Sequence, residues 1–87
     1  MSLVVANVPE HVRRLQWRCR RGMRELDFLL QRYLAEGWLQ ATPAQRRAFG
    51  QLLELPDPEL HGLLMGRLQP AGAVQREVIG AITRPVR

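Results

Sequence analysis

The sequence predicts an all-α protein, a single compact bundle of five short helices. Apolar residues recur at spacings of three and four in five separate segments, and no segment shows the alternation of a half-buried strand. Glycine and proline residues separate these segments. A chain of 87 residues has room for one hydrophobic core. We therefore expect one five-helix domain over residues 9–84, with a flexible N-terminal tail at 1–8 and a short C-terminal tail at 85–87.

The first predicted helix covers residues 9–21. Proline suits its first position, where the missing N–H costs no hydrogen bond. Val12, Leu15 and Cys19 form a helical stripe that faces the core. Trp17 lies off this stripe, so we expect it to be exposed among arginines.

The second predicted helix covers residues 23–36 and ends at Gly37. Carboxylates in its first turn favour the positive end of the helix dipole. Trp38 and Leu39 are expected to cover the core from the following loop. The predicted buried side comprises Met23, Leu26, Leu30, Tyr33 and Leu34, widened by Phe28 and Leu29.

The third predicted helix has the clearest start signal in the chain. Thr42 is a suitable N-cap, Pro43 occupies the first helical position, and Gln45 completes a capping box. The helix must end before Pro56. Its predicted buried residues are Ala48, Phe49, Leu52 and Leu53.

The last two predicted helices are short. Asp57-Pro58 repeats the start signal, with Asp57 as the N-cap, and Gly66 is the expected end of the fourth helix. The fifth helix follows a loop at residues 69–72 and stops before Pro85. The predicted buried residues are Leu60, Leu63 and Leu64 in the fourth helix, and Val74, Val78, Ile79 and Ile82 in the fifth.

The composition favours an acidic partner and a reducing compartment. Thirteen arginines and no lysine face eight carboxylates, a formal net charge of +5. That excess suits nucleic acid, an anionic membrane surface or an acidic protein. A lone Cys19 excludes an internal disulfide. With no 18-residue apolar run and no signal-peptide pattern at the N-terminus, we expect a cytoplasmic bacterial protein with no membrane span.

The residue types needed for metal binding or catalysis do not cluster. His11, Cys19 and His61 lie too far apart in the sequence to form a recognisable ligand set. Glu25 and Asp27 are two residues apart, so a helix would direct them to different sides. No serine or cysteine lies beside a base, and no glycine-rich phosphate loop is present. We expect neither an enzyme nor a stably bound cofactor.

The charged cluster at residues 20–27 permits three interpretations. It could be a solvated helix face with an Arg21–Glu25 pair worth a few tenths of a kcal/mol. It could be a protein-docking surface anchored by Trp17. It could also contact phosphates, although Glu25 and Asp27 would repel them. The phosphate contacts would come from Arg13, Arg14, Arg18, Arg20, Arg21 and Arg24.

The same cluster resembles a known family. Residues 17–27 read WRCRRGMRELD, and residues 52–60 read LLELPDPEL, followed by Leu64-Met65. Both stretches are similar to the FAD assembly factors of succinate dehydrogenase, the SdhE family, whose hallmark is an RGxxE motif. The similarity covers roughly residues 13–83.

The resemblance implies a five-helix assembly factor that binds the flavoprotein subunit of succinate dehydrogenase or fumarate reductase. Such a factor promotes covalent attachment of FAD to its partner without making the bond itself. We expect a monomer with no stably bound cofactor, although Trp38 and the apolar N-terminal tail leave self-association open. We expect no nucleic-acid partner, although a small basic nucleic-acid-binding or other protein-interaction module is the alternative. The implied contact residues are Arg21, Gly22 and Glu25, with Arg20, Met23, Arg24, Asp27 and Trp17 as neighbours.

This interpretation makes a geometric demand on the RGxxE motif. Gly22 should form a corner between two helices through an unusual dihedral or a close backbone approach. Arg21 should direct its planar guanidinium outward to a partner, with Glu25 beside it. If either group is buried in the bundle, the two cannot form one docking pair.

Overall fold

The computed structural model describes residues 10–85 and confirms the all-α fold class. Its five helices are α1 (Glu10–Arg18), α2 (Arg24–Glu36), α3 (Pro43–Leu53), α4 (Asp57–Leu64) and α5 (Ala73–Ile82). Across that described range no strand occurs. The predicted helix start at Pro9, the tail at 1–8 and the last two residues of the tail at 85–87 lie outside the described residues.

The core lies between α2, α3, α4 and α5. Leu30, Phe49, Leu52, Leu60 and Ile82 are fully buried at its centre. Full burial of a side chain of this size stabilises the fold by about 1.5–3 kcal/mol relative to exposure. Each of these residues comes from a predicted core stripe, which confirms the helical periodicity.

Two aromatic contacts close the end of the core beside the α2–α3 loop. The Tyr33 and Trp38 rings lie 4.7 and 6.0 Å from the Phe49 ring, centroid to centroid. Trp38 is buried, as predicted for a residue that covers the core from the loop. Arg46 stacks on its ring at 5.0 Å and donates hydrogen bonds to the carbonyls of Trp38 and Leu39.

The first helix reaches the core mainly through its predicted stripe. Val12 and Leu15 pack against the core, and Cys19 is fully buried just beyond the helix end. The helix stops at Arg18 rather than continuing to residue 21 as predicted. Gly22 has a φ of +81°, so the chain has already left the helix to turn toward α2.

Three apolar residues predicted to face inward are exposed. Phe28 is 55% and Leu39 is 83% exposed, and Val74 also lies at the surface. Phe28 is two residues after Leu26, a rotation of about 200° around α2, so it emerges opposite the buried stripe. The predicted stripe was too wide because it included Phe28 for its apolar side chain and not for its angle around the helix.

The fourth helix begins at the predicted place but with a different cap. Its N-cap is Pro56, and no side chain caps it. Asp57 forms an ion pair with Arg21 instead of acting as the predicted N-cap. The helix ends as expected at the turn containing Gly66, whose φ is also +81°.

The capping box of α3 provides a test of local stability. Thr42 Oγ1 accepts from the Gln45 amide at 3.1 Å, and Gln45 Oε1 accepts from the Thr42 amide at 2.9 Å. We expect Thr42→Ala to lower the free energy of unfolding by about 1 kcal/mol, because it leaves a helix N–H without its acceptor. Urea unfolding followed by circular dichroism measures the change. Thr42→Ser is the control and should retain most of the stability; an equal loss in both variants would contradict a hydroxyl cap.

Candidate partner-binding site

The turn between α1 and α2 depends on a glycine in a left-handed conformation. Gly22 has a φ of +81°, a region that costs residues with a Cβ about 1–2 kcal/mol. It is exposed, and a Cβ built on it would meet no atom within 4 Å. The dihedral, rather than a close approach within the described chain, therefore requires glycine here. The predicted corner is confirmed.

Asp27 holds this turn from the first part of α2. Its Oδ1 accepts from the Arg21 amide at 2.7 Å, and its Oδ2 accepts from the Gly22 amide at 3.2 Å. One carboxylate thereby satisfies two successive N–H groups that the turn leaves without helical partners. Asp27 has a structural role, which the sequence prediction did not assign to it.

Arg21 points into the protein, against the prediction. Its Nη1 donates to the Leu53 carbonyl at 2.9 Å, and its Nη2 donates to the Leu55 carbonyl at 2.6 Å. Its Nε lies 3.0 Å from Asp57 Oδ1, an ion pair in which the N–H is not directed well enough for a hydrogen bond. Nη1 also approaches the Arg18 carbonyl at 3.3 Å. The Arg21 side chain is only 13% exposed.

The location of this guanidinium is electrostatically favourable. Leu53 is the last residue of α3. At this end of a helix the carbonyl groups lack helical N–H donors, and the helix dipole has its negative end. Asp57 opens α4 directly after the linker. Arg21 thus neutralises partial and full negative charge that converges from two helix ends.

Two sequence expectations about Arg21 are therefore wrong. Its guanidinium pairs with Asp57 and not with Glu25, and its fork does not face outward with Glu25 as one docking pair. The partners that redirect it lie 32 to 36 residues further along the chain. Helical spacing alone cannot reveal them.

The remaining charged residues of the motif face solvent. Arg20, Arg24 and Glu25 are exposed, and within residues 10–85 the Arg24 and Glu25 side chains form no hydrogen bond or ion pair. Met23 is half-buried and packs against the core. The carboxylate of Glu25 therefore stays available at the start of α2.

Two exposed aromatic residues accompany these charges. Trp17 is 73% exposed, as predicted, and the Arg20 guanidinium lies 5.6 Å from its ring centroid. Phe28 follows Arg24 by one helical turn, and the Arg32 guanidinium lies 5.8 Å from its ring. Sequence reasoning missed Phe28 as a surface residue, although its angle from the stripe of Leu26 could have revealed it.

We call the outward set the turn surface. It combines aromatic side chains, which are frequent binding hot spots, with unpaired charges of both signs. Among the described residues no group of three or more metal-ligating side chains occurs. Such a combination of side chains is suited to binding another macromolecule. The turn surface comprises Trp17, Arg20, Gly22, Arg24, Glu25 and Phe28.

A depression of about 390 Å³ lies elsewhere, between the C-terminal part of α2 and α5. Tyr33, Glu36, Glu77 and Arg84 are among its lining residues. No residue of the turn surface lines it. It is therefore separate from the candidate site.

Comparison with known proteins assigns the chain to a family. The family model described as flavinator of succinate dehydrogenase matches residues 13–86. The chain belongs to this family. The membership confirms the resemblance seen in residues 17–27 and 52–60.

Several relatives carry the name FAD assembly factor SdhE, among them proteins of three bacteria. The protein of Coxiella burnetii is 38% identical over 76 residues, which cover 87% of this chain and 93% of that protein. The protein of Xylella fastidiosa is 48% identical over 58 residues, 67% of this chain and 60% of that protein. The protein of Legionella pneumophila is 49% identical over 57 residues, 66% of this chain and 72% of that protein.

None of the helices described within residues 10–85 is both long enough and apolar enough to cross a bilayer.

Cys19 is buried beside the turn, and its titration should make the free energy of unfolding depend on pH in the alkaline range. Burial raises the pKa of its thiol from 9.0 to about 12, with Arg21 opposing the rise and Asp27 adding to it. Above pH 9 the unfolded chain releases this proton while the folded chain retains it, so stability falls as pH rises toward 12. We expect this residue to lower the free energy of unfolding progressively across that window.

Urea unfolding under reducing conditions, in buffers from neutral pH to about pH 11, measures this loss. Cys19→Ala removes the thiol and should flatten the slope. Tyr33, whose pKa is also raised by burial, remains in both proteins and contributes equally. Parallel stability curves for the two proteins would contradict the assignment.

Proposed function

We propose that this protein is an assembly factor that binds the flavoprotein subunit of succinate dehydrogenase or fumarate reductase and promotes covalent attachment of FAD to it. Membership of the flavinator family supports the proposal, as do the relatives named FAD assembly factors. The FAD remains with the partner, and this chain binds no cofactor stably. The working unit is the five-helix domain of residues 9–84, acting as a monomer in the bacterial cytoplasm.

The exposed carboxylate of Glu25 is the structural observation that supports the proposal. Glu25 is an exposed carboxylate without a partner in residues 10–85, and it stands beside a turn that Asp27 holds by two hydrogen bonds. A charge presented from a fixed backbone loses little freedom on binding, which favours recognition. The structure thus supports the Glu25 half of the predicted docking pair, but not the Arg21 half.

The mechanism is positioning rather than bond-making. By binding one arrangement of the flavoprotein's domains, the factor would raise the population in which the flavin and its attachment residue are aligned. Trp17 and Phe28 would supply apolar anchors, and Arg20, Arg24 and Glu25 would set orientation by charge. Met23, Arg21 and Asp27 would contribute by shaping the turn.

The exposed glycine gives the first functional prediction. Gly22→Arg adds a long cation at the centre of the turn surface, in open space, and should abolish the effect on flavinylation while leaving a helical protein. Co-expression with the flavoprotein subunit, followed by in-gel flavin fluorescence, measures covalent FAD. We expect the signal to fall to that of cells lacking the factor.

Gly66→Arg is a matched control for this prediction. Gly66 has the same φ of +81° and the same open surroundings, but it lies beyond the far end of α4 from Asp57. Eight helical residues separate the two ends by about 12 Å. Both variants carry the same strain and charge, so equal loss of covalent flavin in both would refute a site-specific role for Gly22.

The outward groups of α2 give the second functional prediction. Glu25→Gln and Phe28→Ala should each weaken binding to the purified flavoprotein subunit by about tenfold, or about 1.4 kcal/mol. Calorimetric titration measures the affinity. The first variant removes a charge without changing shape, and the second removes an exposed anchor.

Each of these variants has a control on another surface. Glu10→Gln removes an exposed carboxylate from the first turn of α1, at the end away from the turn. Leu39→Ala removes a more exposed apolar side chain from the α2–α3 loop. The controls should bind like the original protein. If they weaken binding as much as Glu25→Gln and Phe28→Ala, the turn surface is not the interface.

The basic charge keeps a nucleic-acid-binding module as the competing function. Arg13 and Arg14 are exposed on α1 and form no ion pair within residues 10–85. A nucleic-acid module would bind an RNA or DNA duplex with an affinity that falls steeply with salt. Binding of that kind, without flavoprotein binding, would replace the assembly-factor proposal.

A further inference from the structure

We propose that Arg21 never touches the partner and acts instead as a positioning residue, together with Asp57. This inference rests on the proposed function and concerns how the turn surface is held. The guanidinium of Arg21 fixes the α1–α2 turn against the α3–α4 linker. Glu25 and Gly22 are thereby presented in one orientation.

The turn has local restraints but needs a distant one. Asp27 ties the Arg21 and Gly22 amides to α2, five and six residues away along the chain. These bonds set the shape of the turn without connecting it to the opposite half of the bundle. Cys19 and Met23 pack against the core beside the turn, and the hydrogen bonds that connect it to the opposite half come from Arg21, whose contacts at Leu53 and Leu55 span 32 and 34 residues.

The guanidinium has little capacity left for a partner. Nη1 donates to Leu53 and Arg18, Nη2 donates to Leu55, and Nε pairs with Asp57. The side chain is 13% exposed. A partner that engaged this fork would have to break the hydrogen bonds to Leu53 and Leu55, and hydrogen bonds from a charged donor are among the stronger ones in proteins. Direct contact is therefore the unfavourable alternative.

The planar fork is what this role requires. The guanidinium donates in fixed directions to the two carbonyls of Leu53 and Leu55, and its charge pairs with the Asp57 carboxylate at Nε. The single ammonium of lysine carries the same charge but cannot reach this set of acceptors at once. Nearby, Arg18 and Glu54 approach to 3.9 Å with both side chains exposed, so this pair restrains the junction little.

Asp57→Asn separates positioning from direct contact because the two predict opposite results. Removal of the carboxylate loosens the guanidinium. If Arg21 met the partner directly, its release would leave flavoprotein binding unchanged or tighter. If Arg21 positions the turn, Asp57→Asn should weaken binding by about tenfold, similar to Arg21→Lys. The double variant should lose little more than either single variant, since both changes break one connection.

Amide hydrogen exchange supplies a readout that contact with a partner would not alter. In the free protein, Asp57→Asn and Arg21→Lys should each speed exchange at the Arg21 and Gly22 amides by about tenfold, because the turn opens more often. Both variants should stay helical at the assay temperature. A loss of affinity with unchanged exchange, or additive losses in the double variant, would overturn the inference.

Arg46→Lys is the matched control. Arg46 also donates to two loop carbonyls, those of Trp38 and Leu39, but at the α2–α3 loop. Its replacement should leave both flavoprotein affinity and exchange at Gly22 unchanged. Equal weakening by this control would show that general destabilisation causes the loss, against the inference.

The same titrations distinguish the inference from the proposed function. If the original protein neither binds the flavoprotein subunit nor promotes its flavinylation, the proposed function fails. If the original protein does both and Asp57→Asn binds at least as tightly, only the positioning role fails.

Discussion

The guanidinium of Arg21 is the constraint on which the arrangement of the turn surface depends. It lies where the C-terminal end of α3, the linker after it and the first residue of α4 converge. Carbonyls at a helix end need donors, and a carboxylate close to them needs a cation. One side chain meets both needs. Because that side chain belongs to the α1–α2 turn, the turn is fixed to the other half of the bundle.

This constraint divides a single charged motif into an inward and an outward part. Arg21 and Asp27 have structural roles. Arg21 donates hydrogen bonds to distant carbonyls and pairs with Asp57, and Asp27 accepts hydrogen bonds from two amides of the turn. Arg24 and Glu25 remain at the surface. Structural and surface residues are interspersed along this short stretch, so a tightly bent chain can still expose unpaired charge.

The surface that results is suited to recognition. Trp17 precedes the turn and Phe28 follows it, and both side chains are exposed. The hydrophobic core is formed by other apolar residues. Exposed aromatics next to unpaired charges are characteristic of binding surfaces, where burial on association supplies the free energy. Membership of the flavinator family gives that surface its proposed partner.

The sequence by itself determined the fold class, the buried stripes around Leu30, Phe49 and Leu52, and the capping box at Thr42, because each depends on neighbours within one or two helical turns. It also located the corner at Gly22, since glycine marks a backbone that other residues avoid. Only the tertiary structure decided the direction of Arg21, whose acceptors become neighbours when α3 and α4 fold against the turn. The exposure of Phe28 lay between these cases: its helical angle was in the sequence, but the width of the buried stripe was set by how the helices pack.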